Sequence, residues 1–569
     1  MTKLTDLQTW SRLYEFMAMP VAGGVESSWC YGDMQVWPII RSQICMRGSN
    51  VLCADRQHMK IANAPGKSSK LAASVSTLGN RLRSMSSRSM SSASSVPAAI
   101  QQQKSVAWPN LPAGVGTGNV WCLGYATNHK KVGDSHFQIC MDPLRVALAT
   151  QNVATIGLMT GLADDAPGIL QAAAQPTINI ETEFRAVRKD AQKLAKIDLD
   201  ALPAFTKWWD ELDGVLDGQT ITTREHIATV ILQTAATGAW LHQAIAQYRP
   251  RAVLVASYYG LLGHGSSWAC RKLNVPVADV QHGVSGIGHH AYDWPSAPVE
   301  GYNTLPTTFL KWSQREVDDM LTGTRHWRPT IVSIGNNWRL LDDVLEKQIA
   351  PDVLPEAGRI AAYDALKAAE AQIKEIKRGR GPGKDILVAM HPDEQLPWLA
   401  DLRKIAPPNW RFWLRLHPGE YRGGAGLEQR RAELSGDNLI VAPATELPLN
   451  VLLRHMDAVV TKYSSVALDA HAYGVPSVSY SEAGRFFLGS PERSDVSFVA
   501  PVAERIVNAL TVRLSPYGKG LIASQPIVDF NVLGQTLLKA LAAKPAGAQP
   551  GSEVHGNDDP GLRAATVYG

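Results

Sequence analysis

Two stretches decide the fold: Arg411-Phe412-Trp413-Leu414-Arg415-Leu416-His417-Pro418-Gly419-Glu420 and Met456-Asp457-Ala458-Val459-Val460-Thr461-Lys462-Tyr463-Ser464-Ser465-Val466-Ala467-Leu468-Asp469-Ala470. Each begins as a short apolar run rich in aromatic or β-branched residues, the mark of a buried strand, and ends in a polar cluster. Pro418 fixes the direction of the chain after the first strand and leaves the imidazole of His417 at its carboxyl end. After the second strand, Ser464 and Ser465 open a helix. Strand, tight turn and helix in succession make up a parallel sheet covered by helices.

The same rhythm extends in both directions. Upstream, Val120 to Leu123, Ala252 to Ala256, Pro276 to Val280, Thr308 to Leu310 and Thr330 to Ile334 read as strands, with a long helix from about Thr223 to Tyr248. Ile386 to Ala389 precedes the first stretch directly, Leu439 to Val441 lies between the two, and Ser477 to Tyr480 follows the second. A charged helical stretch ending in Lys377-Arg378-Gly379-Arg380-Gly381-Pro382-Gly383 separates the two sets, and a Gly/Pro cluster after a polar helix reads as a hinge. The expected organisation is an α/β domain over 1–339, a linker helix and hinge over 340–384, and a second α/β domain over 385–543. Residues 66–96 are a Ser-rich insert and residues 544–569 a Pro/Gly-rich tail, both expected to be disordered. The fold class is α/β, with two facing Rossmann-like doubly wound domains and a cleft between them. Ligands in such sheets lie beyond the carboxyl ends of the strands.

Composition narrows the function. The chain has 569 residues, enough for two or three cores, and its 56 Lys+Arg against 52 Asp+Glu leave a formal charge of only +4. That near-neutrality argues against nucleic acid as a partner. Six scattered cysteines without a CxxC pair fit reduced thiols rather than a zinc module. The N-terminus lacks the apolar run of a signal peptide and no long apolar segment follows, so a cytoplasmic protein is expected. Trp (16) outnumbers Phe (10), which suits sugar-stacking clefts as well as cores.

Candidate chemistry sits on the strand-end loops. His417, with Pro418, and the Lys462-Tyr463-Ser464-Ser465 turn supply donors and positive charge for the phosphate of a nucleotide-linked donor; plain helix capping is the competing account of the serines. In the first domain, Val277-Ala278-Asp279-Val280-Gln281-His282-Gly283 is again strand and turn, so Asp279 is a candidate base or nucleophile and His282 its partner, unless Asp279 only binds loop backbone. Asp393, after the strand ending in Met390, competes for the carboxylate role. His282, His289 and His290 fall close together but lack acidic or cysteine partners at ligand spacing, so no metal is expected. Asp198-Leu199-Asp200 reads as solvated surface, and Trp208-Trp209 as a buried pair rather than a lipid contact.

The motifs Leu414-Arg415-Leu416-His417-Pro418 and Tyr463-Ser464-Ser465, continuing to Asp469, Gly474 and Pro476, resemble those of bacterial glycosyltransferases with the GT-B fold. The families sharing them include CMP-sialic acid transferases, capsular polysialyltransferases and retaining β-Kdo transferases of capsule and lipopolysaccharide assembly. Gln281-His282-Gly283 and the Gly32-to-Arg41 segment look most like the Kdo-transferase group. The resemblance spans roughly residues 10–50 and 115–530. Where that group often has a glutamate, this chain has Asp279, one methylene shorter. The resemblance implies a metal-independent, cofactor-free transferase that moves a sugar such as Kdo from a CMP donor onto a glycan or glycolipid acceptor, with peripheral association at the inner face of the cytoplasmic membrane left open. A CDP-polyol phosphotransferase or a UDP-sugar epimerase of the same fold, and a non-catalytic scaffold of polysaccharide assembly, are the alternatives.

Overall fold

The structure is a computed structural model that describes residues 6–21, 24–52, 106–109, 111, 118–133, 135–161, 177–285, 288–347, 356–392, 394–417, 431–432, 434, 436, 438–488, 495–515 and 524–543. The expected disorder at 66–96 and 544–569 lies outside these residues.

The first sheet is built from β1 (Val120–Tyr125), β2 (Thr155–Thr160), β3 (Thr177–Asn179), β4 (Ala252–Ala256), β5 (Val277–Val280), β6 (Thr308–Lys311) and β7 (Thr330–Ser333). Their spatial order is β7-β6-β5-β4-β1-β2-β3, with every neighbouring pair parallel. The chain therefore starts in the middle, winds out one way, and returns to wind out the other. The second sheet repeats the pattern with β8 (Lys384–Ala389), β9 (Trp410–Arg415), β10 (Leu439–Ile440), β11 (Ala458–Thr461), β12 (Ser477–Ser479) and β13 (Val496–Phe498), ordered β10-β9-β8-β11-β12-β13 and all parallel. Strands buried on both faces explain the continuous apolar runs in the sequence. In each sheet the winding reverses once, between β1 and β4 and between β8 and β11. A crevice opens at such a reversal.

β2, β3 and β13 carry no clear strand signal, because Thr155-Ile156-Gly157-Leu158-Met159-Thr160 mixes glycine and methionine into its run and the other two are three-residue edges. The linker also differs from expectation. Two helices, Asn337–Lys347 and Glu356–Gly379, replace one charged helix, and the first buries Leu340, Leu341, Val344 and Leu345. Its polar side is engaged as well: Asp342 accepts from Asn450 Nδ2 (2.5 Å), Tyr473 Oη (2.5 Å) and Arg454 Nη2 (2.6 Å) of the second unit.

The helix Phe530–Ala542 crosses back to the first unit, although the sequence division places it with the second. Asp529 caps it, accepting from the N–H groups of Asn531 and Val532. Thr150 Oγ1 donates to Phe530 O, and Phe530, Leu533 and Leu537 join the core beneath the first sheet. A Cβ at Gly534 would stand 2.2 Å from Ala147 O, so only glycine permits this approach.

Two features anchor the cores. Asp385, 0% exposed at the start of β8, accepts from Arg411 Nε and Nη2 (2.7 and 2.6 Å), Trp413 Nε1 (2.8 Å) and Lys377 Nζ (2.8 Å). In the first unit, Trp29, Trp37, Trp208 and Phe205 pack edge to face at 5.2–5.6 Å. Much of the tryptophan excess is thus core, and Trp208 and Trp209 are buried away from any lipid surface. Cys45, Cys122 and Cys140 are buried, and burial pushes their thiols up to about 11, 12 and 12.

Candidate active site

The carboxyl ends of the two sheets meet. Trp312, just beyond β6, packs with Ala467, Leu468, Leu488 and Val496 of the second unit, and Val284 from the loop after β5 lies against the same group. Opposed doubly wound sheets with their strand-end loops in contact form a GT-B-like arrangement.

On the second unit, the reversal between β8 and β11 gathers His391, Lys462, Tyr463 and Ser464. The ring of His391 sits 4.3 Å from that of Tyr463, and its Nε2 accepts from Tyr463 N at 3.4 Å. Burial first, then Lys462 and His417, push the His391 imidazole down to about 3, so it is uncharged at neutral pH. His417, half-buried beyond β9, is also lowered, by burial and by Lys130 from the first unit's hairpin His129–Val132/Ser135–Gln138. Of the two roles the sequence offers it, donor or positive charge, the free protein favours the neutral hydrogen-bonding form. The ammonium of Lys462 lies beside the Tyr463 ring (5.4 Å), and the Lys462 carbonyl accepts from Ser479 Oγ (2.5 Å).

The serines divide their work. Ser464 Oγ accepts from Val466 N (3.3 Å) as a cap, whereas Ser465 makes no capping bond. The helix that follows, Val466–Ala472, has seven residues, which limits its dipole. It ends at Gly474, whose φ of +71° suits glycine, with Val475 N bonded to Ala470 O (2.9 Å). Asp393 and Pro418 lie outside the described residues.

On the first unit, Asp279 is 1% exposed within β5. Its Oδ1 accepts from Tyr258 N (3.0 Å) and its Oδ2 from Tyr292 Oη (2.9 Å). Both oxygens are engaged and the side chain has no exposed face; the bond to Tyr258 N is of the loop-backbone kind that the sequence offers as its alternative role. Burial raises its pKa, and His282 and Lys311 pull it back down. His282 is more accessible, and its Nε2 lies 3.0 Å from Tyr259 Oη. The ring of Tyr259 also meets those of His289 and His290 (5.7 and 5.8 Å). The two latter imidazoles stack at 4.8 Å, and burial pushes His289 down to about 3. Among the described residues no group of three His, Cys, Asp or Glu is placed to hold a metal ion. Asp198 and Asp200 form a local turn, with Asp200 paired to Arg224 at 2.7 Å.

Sequence reading missed several contributors. His391 was visible only as the neighbour of Asp393. Ser257-Tyr258-Tyr259-Gly260 follows β4 at the first sheet's reversal, and Ser257 holds a φ of +67°, rare for a residue with a side chain. A strand ending in Ser-Tyr-Tyr-Gly was the available signal.

The two halves are tied by Asp469, in the helix after Ser465. Its Oδ1 accepts from Asn336 Nδ2 (2.9 Å), while Asn336 Oδ1 caps the linker helix by accepting from Trp338 N (3.0 Å). Burial chiefly, with Glu316 adding to it against Asn336 and Lys130, pushes the carboxyl up from 3.8 to about 7. The folded protein then keeps a proton that the unfolded chain releases, so stability falls as pH rises from about 4 to about 7, by about 1.4 kcal/mol per pH unit at most. Asp469→Asn preserves the bond and removes the titration. Thermal melts across that range should show a flatter profile for the variant and a higher Tm than the parent at pH values above 7. Parallel profiles would place the pH dependence elsewhere.

No protein-family model matches the chain, and no curated protein matches it. Solved structures similar to it include the UDP-GlcNAc 2-epimerase of Neisseria meningitidis (14% identity, TM-score 0.43, covering 74% of this chain and 99% of that one). Others are the Methanocaldococcus jannaschii UDP-GlcNAc 2-epimerase (12%, 0.41, 74% and 99%) and the glycosyltransferase SnogD from Streptomyces nogalater (14%, 0.36, 75% and 96%). Likeness at this level carries no argument about what this chain acts on; the fold stands on its own strand order.

Proposed function

We propose that the chain is a glycosyltransferase that moves a sugar from a CMP-linked donor onto a glycan or glycolipid acceptor, the sugar being a 2-keto acid such as Kdo. The observation that supports this reading is the convergence, at the second sheet's reversal, of His391, His417, Lys462 and the uncapped Ser465 opposite the Gln281–Val284 loop. Lys462, Ser464, Ser465 and His417 hold the donor phosphate, with Pro418 setting the direction of the His417 loop. No metal or cofactor is part of the reading. Phosphate leaving as CMP develops charge, and preorganised donors stabilise it. His282 exchanges the proton at the sugar or acceptor, and Asp279 is the carboxylate behind it, with Asp393 as its substitute for the carboxylate role.

The acceptor is consistent with work at the inner face of the cytoplasmic membrane; among the described residues no helix is long and apolar enough to cross one.

Thermal-shift titration tests the donor. CMP at about a hundredfold its Kd should stabilise the protein by about 2.7 kcal/mol, visible as a Tm rise of several degrees, and UDP should not. Stabilisation by UDP with no response to CMP would move the reading to a UDP-sugar epimerase. A response to CDP-glycerol alone would indicate a polyol phosphotransferase, and silence to all three a non-catalytic scaffold.

A further inference from the structure

Lys311 closes β6 with a side chain that is 0% exposed, and its ammonium nitrogen has no hydrogen-bond partner. A buried amine without a partner is costly, so something must compensate it. Its Nζ lies over the face of the Tyr292 ring, 3.4 Å from the ring centre. The hydroxyl of that ring donates to Asp279 Oδ2 at 2.9 Å. A cation on the π-face draws electron density from the ring and makes the phenol a stronger donor to the carboxylate beyond it. The charges are thus linked in line: ammonium, ring, hydroxyl, carboxylate.

We infer that Lys311 is a positioning residue whose charge, relayed through Tyr292, keeps Asp279 ionised behind His282. The inference rests on the reading of Asp279 as part of the reacting machinery. It adds a residue that no motif singles out, because lysine at the end of a strand reads as a solvated edge.

The surroundings leave Lys311 as the cation best placed for this. Asp279 is faced by Tyr258 and Tyr259 from the turn after β4, by His282 and Tyr292 from its own loop, by Lys311 from β6, and more distantly by Cys140. The tyrosines are neutral; His282 and Lys311 both pull Asp279 down, and of the two it is Lys311 that sits on the ring face of the phenol donating to the carboxylate. Lys311 in turn faces Asp279, the carboxylates of Glu316 and Asp319 on the helix Gln314–Thr324, and the imidazoles of His282 and His289. Glu316 spends its oxygens on Gln281 Nε2 (2.7 Å) and Ser313 Oγ (2.8 Å). Burial pushes the amine down to about 7 against the pull of those three acids.

The direct test is an infrared titration of the protonated-carboxyl band that disappears in Asp279→Asn. In Lys311→Met its midpoint should move up by about one to three pH units relative to the parent, as expected on removing an adjacent opposite charge. Lys311→Gln, neutral but polar, should move it the same way if the methionine variant does not fold, and Lys311→Arg should keep the parental midpoint. The acidic limb of the nucleotide-release pH profile should follow the band. An unmoved midpoint in both neutral variants overturns the inference. Full turnover in Asp279→Asn overturns the catalytic reading instead, and leaves the infrared result for Lys311 standing on its own.

Discussion

His417→Ala lowers nucleotide release from the sugar donor by about a hundredfold or more and leaves the melting temperature of the protein essentially unchanged. The side chain is half-buried on a loop beyond β9 rather than in a core, so its removal opens no large cavity. Its chemistry is what is lost. Burial and Lys130 keep the imidazole below its usual range, and a phosphate arriving beside it reverses that balance and favours proton uptake. The parent should therefore take up a proton on binding CMP near neutral pH, and bind less tightly as pH rises. Calorimetry in buffers of different ionisation heat reads the proton directly, and the variant should show none. A variant that turns over at the parental rate would remove His417 from the site.

Asp385→Ala is the substitution with the largest expected cost in stability, about 3–5 kcal/mol. It leaves Arg411, itself buried, and Lys377 with a common counter-charge deleted, and it frees the indole N–H of Trp413. The carboxylate joins β8, β9 and the helix Glu356–Gly379, so the loss should appear in the second unit. Urea unfolding followed by tryptophan fluorescence should show an early transition at lower denaturant. Since two units unfold, a single two-state fit is not expected. An unchanged profile would mean that solvent reaches Arg411 and compensates it.

Much of this molecule is legible in its sequence because parallel strands buried on both faces leave apolar runs that nothing else explains. Ala252–Ala256 and Ala458–Thr461 are of that kind, and both flank a reversal of winding. Polar clusters after such runs pointed to His417, Lys462, Ser464 and Ser465. Partners were not legible. Asp279 reads as a buried strand-end carboxylate, but nothing in the sequence brings Tyr258 N and Tyr292 Oη to its two oxygens. Lys311 and Asp469 gain their properties from partners distant in sequence, Tyr292 and Asn336, which no local pattern brings together. The linker helix looked solvated because its charges outnumber its leucines, yet those charges answer groups on the second unit.

The returning helix Phe530–Ala542 has a consequence for how the protein comes into being. The first unit is made early, but Phe530, Leu533 and Leu537 of its core are made near the end of the described chain. Until they leave the ribosome, the helix Asp142–Ala149 keeps an apolar face uncovered, including the backbone of Ala147 that Gly534 later meets. Vectorial folding of the kind that finishes one domain before the next is synthesised cannot apply here. The nascent first unit must wait with that face exposed, and is then a natural client for a chaperone that holds apolar surface until synthesis is complete.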